Sequence, residues 1–198
     1  MSEEEHICKV VLVGETQTGK TSIIAKLIQN EFKEEVPSTL VNSISKYEIT
    51  IKKKPIQFLI WDTAGQEKYR SLNTLFYKDA MMVVIVYDIT QRRSFNELKN
   101  YWIDQIHQNC EKNVILALAA NKADLIEKQT ITEDEGKELA RSINAIFMMT
   151  SCLSGTGIRE LFEEMGKAYF DGGYKGKDRE MKLEKKESNP NKRGCCHK

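Results

Sequence analysis

Val10-Val11-Leu12-Val13-Gly14-Glu15-Thr16-Gln17-Thr18-Gly19-Lys20-Thr21-Ser22 decides how the rest of the chain is read. An apolar run comes first and reads as a short buried strand from Cys8 to Val13. Ile23, Ile24, Leu27 and Ile28 follow at helical spacing. Between strand and helix, Gly14-x-x-x-x-Gly19-Lys20-Thr21 has the pattern of a phosphate-gripping loop. Its glycines let backbone N–H groups turn inward around phosphate oxygens. The helix that begins near Lys20 adds its positive end. Lys20 supplies a point charge to the outer phosphates, and the Thr21 hydroxyl is placed to ligate Mg²⁺. The expected phosphate contacts are therefore Gly14, Glu15, Thr16, Gln17, Thr18, Gly19, Lys20, Thr21 and Ser22. ATP enzymes use the same cradle, so other segments must name the nucleotide.

Working outward, Ile44–Ile51 and Ile56–Trp61 read as two strands joined at Lys52-Lys53-Lys54, a hairpin and hence one antiparallel pair. Met81–Tyr87 and Val114–Ala120 are continuous apolar runs, as expected of strands covered on both faces. Ile146–Met149 reads as the last strand and Ile158–Tyr169 as the last helix. Phe95, Leu98, Trp102 and Ile106 form a helical stripe. Ser94 to Glu97 and Thr132 to Glu135 both have capping-box spacing. Residues 30–42 and the polar stretch 62–75 read as loops. Alternating strands and helices imply an α/β fold: a mostly parallel six-stranded sheet with one antiparallel strand and helices on both faces. Each polar motif follows a strand, so all should gather at the C-terminal strand ends, where such sheets bind ligands.

Lys and Arg total 30 against 29 Asp and Glu, a formal charge of +1. That balance argues against a nucleic acid polymer as partner. Of five cysteines, Cys8, Cys110 and Cys152 are scattered and read as reduced thiols, while Cys195 and Cys196 are adjacent. No zinc spacing and no signal-peptide pattern is present in the sequence, and no apolar run is long enough to span a bilayer.

Asn121-Lys122-Ala123-Asp124 follows a buried strand. Asn, Lys and Asp are also ordinary turn residues, but with the phosphate loop upstream a carboxylate at such a strand end can accept two hydrogen bonds, from guanine N1–H and the N2 amino group. Adenine offers no N2 donor, and its N1 would face the carboxylate as a second acceptor. Thr150-Ser151-Cys152 after the next strand adds to the guanine reading.

The set Gly14–Thr21, Thr39, Asp62-Thr63-Ala64-Gly65-Gln66, Asn121–Asp124 and Ser151-Cys152 resembles the small GTPases of the Ras superfamily, over roughly residues 7 to 170. Phe58–Leu72 and Val86-Tyr87-Asp88-Ile89-Thr90 resemble Rab proteins. Asn121–Leu125 and the ending Gly194-Cys195-Cys196-His197-Lys198 are similar to the early-endosomal branch. The resemblance implies a P-loop NTPase G domain that binds GTP and GDP with Mg²⁺, hydrolyses GTP slowly and acts as a switch in vesicle trafficking. Residues 1–6 become an N-terminal extension, 7–170 the G domain and 171–198 a tether.

By the same likeness Phe32 stacks on the base, Asn121 and Lys122 brace neighbouring loops, and the backbone at Cys152 meets the guanine oxygen. Thr21 and Thr39 ligate the metal and Asp62 holds it through water. The Gly65 amide meets the γ-phosphate, and Gln66 orients the attacking water. Loop 30–42 holds no arginine to complete the site in cis. Turnover is then expected on the order of 10⁻⁴ to 10⁻² per second without a GTPase-activating protein.

Thr16, Gln17 and Leu153 stand where the family has other residues, and they favour a rival reading, a hydrolysis-dead nucleotide-binding scaffold. A second rival is a small-molecule kinase built on the same loop. Trp61 and Phe76, with Ile44, fit either effector-facing aromatics or plain core packing.

Cys195 and Cys196 resemble the doubly geranylgeranylated Rab ending, served by an escort protein. Two chains anchor where one is marginal. The implied partners are an exchange factor, a GTPase-activating protein, a GDP-dissociation inhibitor and GTP-dependent effectors. The expected protein is a monomer on the cytoplasmic face of endosomal membranes, cycling with cytosol.

Overall fold

Strands β1 (His6–Val13), β2 (Ser43–Ile51), β3 (Lys54–Asp62), β4 (Met82–Asp88), β5 (Ile115–Asn121) and β6 (Ile146–Met149) form one sheet, ordered β2-β3-β1-β4-β5-β6. The computed structural model describes residues 6–32, 43–62 and 74–173. Every pairing is parallel except β2 with β3. Lys52 and Lys53 close that hairpin at φ 51° and 66°. Positive φ at both central residues gives the turn the twist that the strands need.

Side chains alternate across β1, and this alternation divides the core in two. Val10 and Leu12 face α1 (Lys20–Gln29) and α6 (Ile158–Ala168), packing with Ile23, Leu161, Phe162 and Met165. Val11 and Val13 belong to the opposite layer, with Phe95, Leu98, Trp102, Ile106 and Leu139. That layer is built from α2 (Thr74–Tyr77), α3 (Arg92–Glu97), α4 (Ile103–Asn109) and α5 (Glu133–Ser142). All seven residues of β4 and all seven of β5 are buried, as strands covered on both faces require.

The stripe Phe95–Ile106 is buried as its spacing predicts, but it is not one regular helix. Leu98–Trp102 is a π turn between α3 and α4, in which the Ile103 N–H reaches back to the Leu98 carbonyl. The capping box expected at Ser94 is absent. Helix α3 starts earlier, at Arg92 with Gln91 as N-cap. The Ser94 hydroxyl instead donates to the Gln91 carbonyl at 2.8 Å and accepts from the Asp88 N–H at 3.1 Å. The box at Thr132 and Glu135 is present in both directions. The sequence reading did not foresee α2 or the 3₁₀ turn Ala123–Lys128. The loop readings at 33–42 and 63–73, and the tether from residue 174, lie outside the described residues.

Beyond α6 a π turn, Tyr169–Gly173, folds back on the sheet. The His6 ring meets Phe170 at 4.9 Å and Tyr169 at 5.8 Å. Lys54 lies 5.6 Å over the Phe170 ring, and Lys52 pairs with Asp171. This cluster sits at the N-terminal end of β1, away from Gly14. Among the described residues no helix is long and apolar enough to cross a membrane.

Candidate functional site

The C-terminal ends of β1, β3, β4 and β5 deliver Gly14, Asp62, Asp88 and Asn121 to one edge of the sheet, and the turn after β6 adds Ser151. The loop from Gly14 to Gly19 hugs that edge. A Cβ on Gly14 would lie 2.1 Å from the Val86 carbonyl oxygen, and one on Gly19 would lie 2.3 Å from Asn121 Nδ2. Both glycines also have positive φ, 137° and 96°. Only glycine permits both the backbone shape and the close approach.

Lys20 is buried and donates to the carbonyl oxygens of Gly14 at 2.8 Å and Glu15 at 2.7 Å. The Thr18 hydroxyl also donates to the Glu15 carbonyl, at 2.9 Å. Thr16 and Gln17 form the exposed tip, with Gln17 at φ 61°. Ser22 is half-buried in the first turn of α1. That turn itself holds no acidic residue.

Thr21 Oγ1 donates to Asp62 Oδ2 at 2.8 Å. The other Asp62 oxygen, Oδ1, is buried without a hydrogen-bond partner. Burial raises the Asp62 pKa above the usual carboxylate range, against the opposing effects of the Thr21 hydrogen bond and the Lys20 charge. A buried carboxylate with an orphaned oxygen beside a hydroxyl offers hard oxygen ligands to a small divalent cation, and Mg²⁺ fits that donor set.

Asn121 joins the two halves of the site. Its Nδ2 donates to the Thr18 carbonyl at 2.8 Å, and its Oδ1 accepts from the Thr150 hydroxyl at 3.1 Å. The Cys152 thiol lies 3.6 Å from the same Oδ1, and burial pushes that thiol up to about 11. Lys122, in the left-handed region at φ 65°, reaches Asp88 at 2.6 Å. Asp88 is 2 % exposed and also accepts from the Thr90 N–H and hydroxyl, at 2.8 and 2.7 Å. Asp124 is exposed, with one carboxylate oxygen held by the Ser151 hydroxyl at 2.5 Å. Its remaining acceptor capacity opens to solvent at the strand edge, where a base donor could reach it. Phe32 and Leu153 are exposed apolar side chains, at 40 % and 55 %.

Thr39, Gly65, Gln66, Cys195 and Cys196 lie outside the described residues. Three partnerships escaped the sequence reading: Asp88 with Lys122, Thr150 with Asn121, and Glu15 with Trp102, whose indole Nε1 donates to Glu15 Oε1 at 3.2 Å. Trp61 and Phe76 are half-buried with ring centroids 6.2 Å apart, and Ile44, the cross-strand partner of Trp61, is 54 % exposed. Trp61 and Phe76 pack against the core layer with one side while remaining partly exposed beside Ile44.

The Ras family profile matches residues 9–171. Ras-related protein Rab-22A of Homo sapiens is 37% identical over 194 residues, covering 95% of this chain and 97% of the relative. Ras-related protein Rab5A of Oryza sativa subsp. japonica is 34% identical over 164 residues, 83% of this chain and 80% of its own length. Ras-related protein Rab11A of Lotus japonicus is 33% identical over 158 residues, 80% and 70% respectively. The α/β sheet, the strand-end cradle and these relatives agree: the chain belongs to the Ras family and is a Rab-like small GTPase.

Proposed function

We propose that this GTPase is a nucleotide-timed switch for vesicle traffic at endosomal membranes, with each step assigned to residues of this chain. Asp124 accepts from guanine N1–H and the N2 amino group, one on each oxygen, while the Ser151 hydroxyl donates to Oδ1 and holds the carboxylate in place. Lys20 and the backbone N–H groups of Gly14–Ser22 hold the phosphates. Phe32, Leu153 and the Cys152 backbone complete the base pocket. Thr21, Thr39 and Asp62 hold Mg²⁺, which when bound neutralises charge on the outer phosphates. Gln66 orients the attacking water, and the Gly65 amide holds the γ-phosphate. Catalysis of this kind is positioning and charge stabilisation, and a GTPase-activating protein supplies what the chain lacks.

The segments that carry Thr39 and Gly65 are ordered by one phosphoryl group and released when it leaves. The Trp61, Phe76 and Ile44 patch reads out that order to effectors. An exchange factor, a GDP-dissociation inhibitor and an escort protein complete the cycle. Prenyl groups on Cys195 and Cys196 hold the switch to the membrane, where it works as a monomer. The names Rab-22A and Rab5A among the relatives support the endosomal assignment.

One observation carries the reading: Asn121 ties Thr18 in the phosphate loop to the loop that presents Asp124. Phosphate grip and base choice are thereby one site. Displacement of fluorescent GDP by equimolar GDP and ADP tests it. GDP should displace the probe and ADP should not; equal displacement refutes the guanine assignment. Release of phosphate from GTP, with and without a GTPase-activating protein, tests the timing role.

A further inference from the structure

We infer that Trp102 is a positioning residue for the phosphate loop: its indole N–H sequesters the Glu15 carboxylate away from the bound phosphates and so slows nucleotide release. The assignment rests on the guanine-nucleotide reading above and names a control element for it.

Glu15 is the second residue of the phosphate loop, and its carbonyl is one of the oxygens that Lys20 touches, at 2.7 Å. A carboxylate at that point is an anion in a loop built to hold anions. It is tolerated because it is turned away. The Glu15 side chain is buried, at 6 % exposure, against the opposite layer of the core. There it meets Trp102, itself 4 % exposed, through the 3.2 Å hydrogen bond from Nε1 to Oε1. A tryptophan indole is a donor only, so it suits a carboxylate and cannot turn to another role. A hydrogen bond to a charged group is stronger than a neutral one.

At Trp102 itself the backbone is helical, with φ −66° and ψ −41°. Trp102 is the last residue of the π turn between α3 and α4. π bulges of this kind concentrate at functional positions. Glu15 is thus fixed twice: its carbonyl by Thr18 and Lys20, its side chain by Trp102.

Without the N–H, the carboxylate loses its buried donor. Its remaining way to regain solvation is toward the mouth of the loop, where it repels a diphosphate. The consequence separates this role from simple packing. Removing the donor should hasten release, and removing the charge as well should restore it.

The test measures release of mant-GDP from the full chain, chased with excess GDP, alongside thermal melting. Trp102→Phe keeps an aromatic ring and deletes the donor. It should release mant-GDP roughly tenfold faster than wild type, the scale of one charged hydrogen bond. Adding Glu15→Gln to Trp102→Phe should bring release back to within about threefold of wild type, because the neutral amide does not repel phosphate. Release from Trp102→Phe at the wild-type rate overturns the assignment, as does acceleration that Glu15→Gln fails to rescue. If Trp102→Phe does not fold, β-(3-benzothienyl)alanine at position 102 replaces the N–H with sulfur at constant shape and carries the same expectations. Failure of the wild-type chain to retain mant-GDP at all would instead overturn the nucleotide reading beneath it.

Discussion

Replacing Asn121 with alanine separates folding from nucleotide retention within a single side chain. Asn121 is 1 % exposed, and two of its neutral partners, the Thr18 carbonyl and the Thr150 hydroxyl, sit on different segments. A neutral hydrogen bond contributes about 1 kcal/mol net, and a buried group left unpartnered costs about 1–3 kcal/mol. The two losses together come to about 3 kcal/mol, within the range expected for a broken buried network. The Thr150 half holds β6 to β5 whether or not nucleotide is bound, so it should appear as a fall in Tm of about 3–6 °C. The Thr18 half holds the phosphate loop against the base loop. At about 1.4 kcal/mol per tenfold, it should speed GDP release roughly ten- to thirtyfold. Mant-GDP chase and thermal melting read the two halves separately. An Asn121→Ala protein that melts early but releases GDP at the wild-type rate would show that the Thr18 link does not carry the coupling.

Asp62→Asn should raise the Tm of the nucleotide-free, metal-free chain at pH 7. A carboxyl whose folded pKa is raised destabilises the fold once pH exceeds that value, and burial raises this one. The same change should abolish the extra stability that Mg²⁺ gives with GDP, measured by melting with and without EDTA. Gly136→Ala gains about 1 kcal/mol of helix propensity but sets a Cβ 2.4 Å from the Tyr87 hydroxyl and 2.6 Å from Phe147. Overpacking of about 1–3 kcal/mol should win, lowering Tm while GDP release stays unchanged; a higher Tm would contradict the packing argument. Burial pushes the Cys8 and Cys110 thiols up to about 12 and Cys152 up to about 11. All three should resist iodoacetamide at pH 8 until the protein is unfolded, which peptide mass mapping would detect. Gln66→Leu should leave GTP affinity intact and trap the GTP state, and unchanged single-turnover hydrolysis would remove Gln66 from the water-orienting role.

Local chemistry was legible in the sequence wherever one short segment carries the whole signal. Val10 to Ser22 announces strand, loop and helix in thirteen consecutive residues. Thr132 and Glu135 satisfy each other three residues apart. Ser94 and Glu97 show the same spacing without the same result, because the end of β4 lies close enough to engage the serine hydroxyl first. Spacing alone does not record that competitor. Links that cross the sheet were harder. Asp88 and Lys122 lie at the ends of adjacent strands, paired at Asp88 and Asn121. Trp102 reads as one more core residue in an apolar stripe, and its donor has no sequence signature. The distance from Glu15 to Trp102 along the chain is closed only by the packing of the helical layer onto β1.

The aromatic clasp of His6, Tyr169 and Phe170 fixes where the chain leaves the body. It lies at the far end of β1 from Gly14, an eight-residue strand about 26 Å long. Residues 174–195 extend at most about 75 Å from that exit. A lipid anchor at Cys195 and Cys196 would therefore act as a mooring line fastened to the stern, with the guanine cleft at the bow. With such an anchor, the length of residues 174–195 would set how far from the bilayer soluble regulators could meet the cleft.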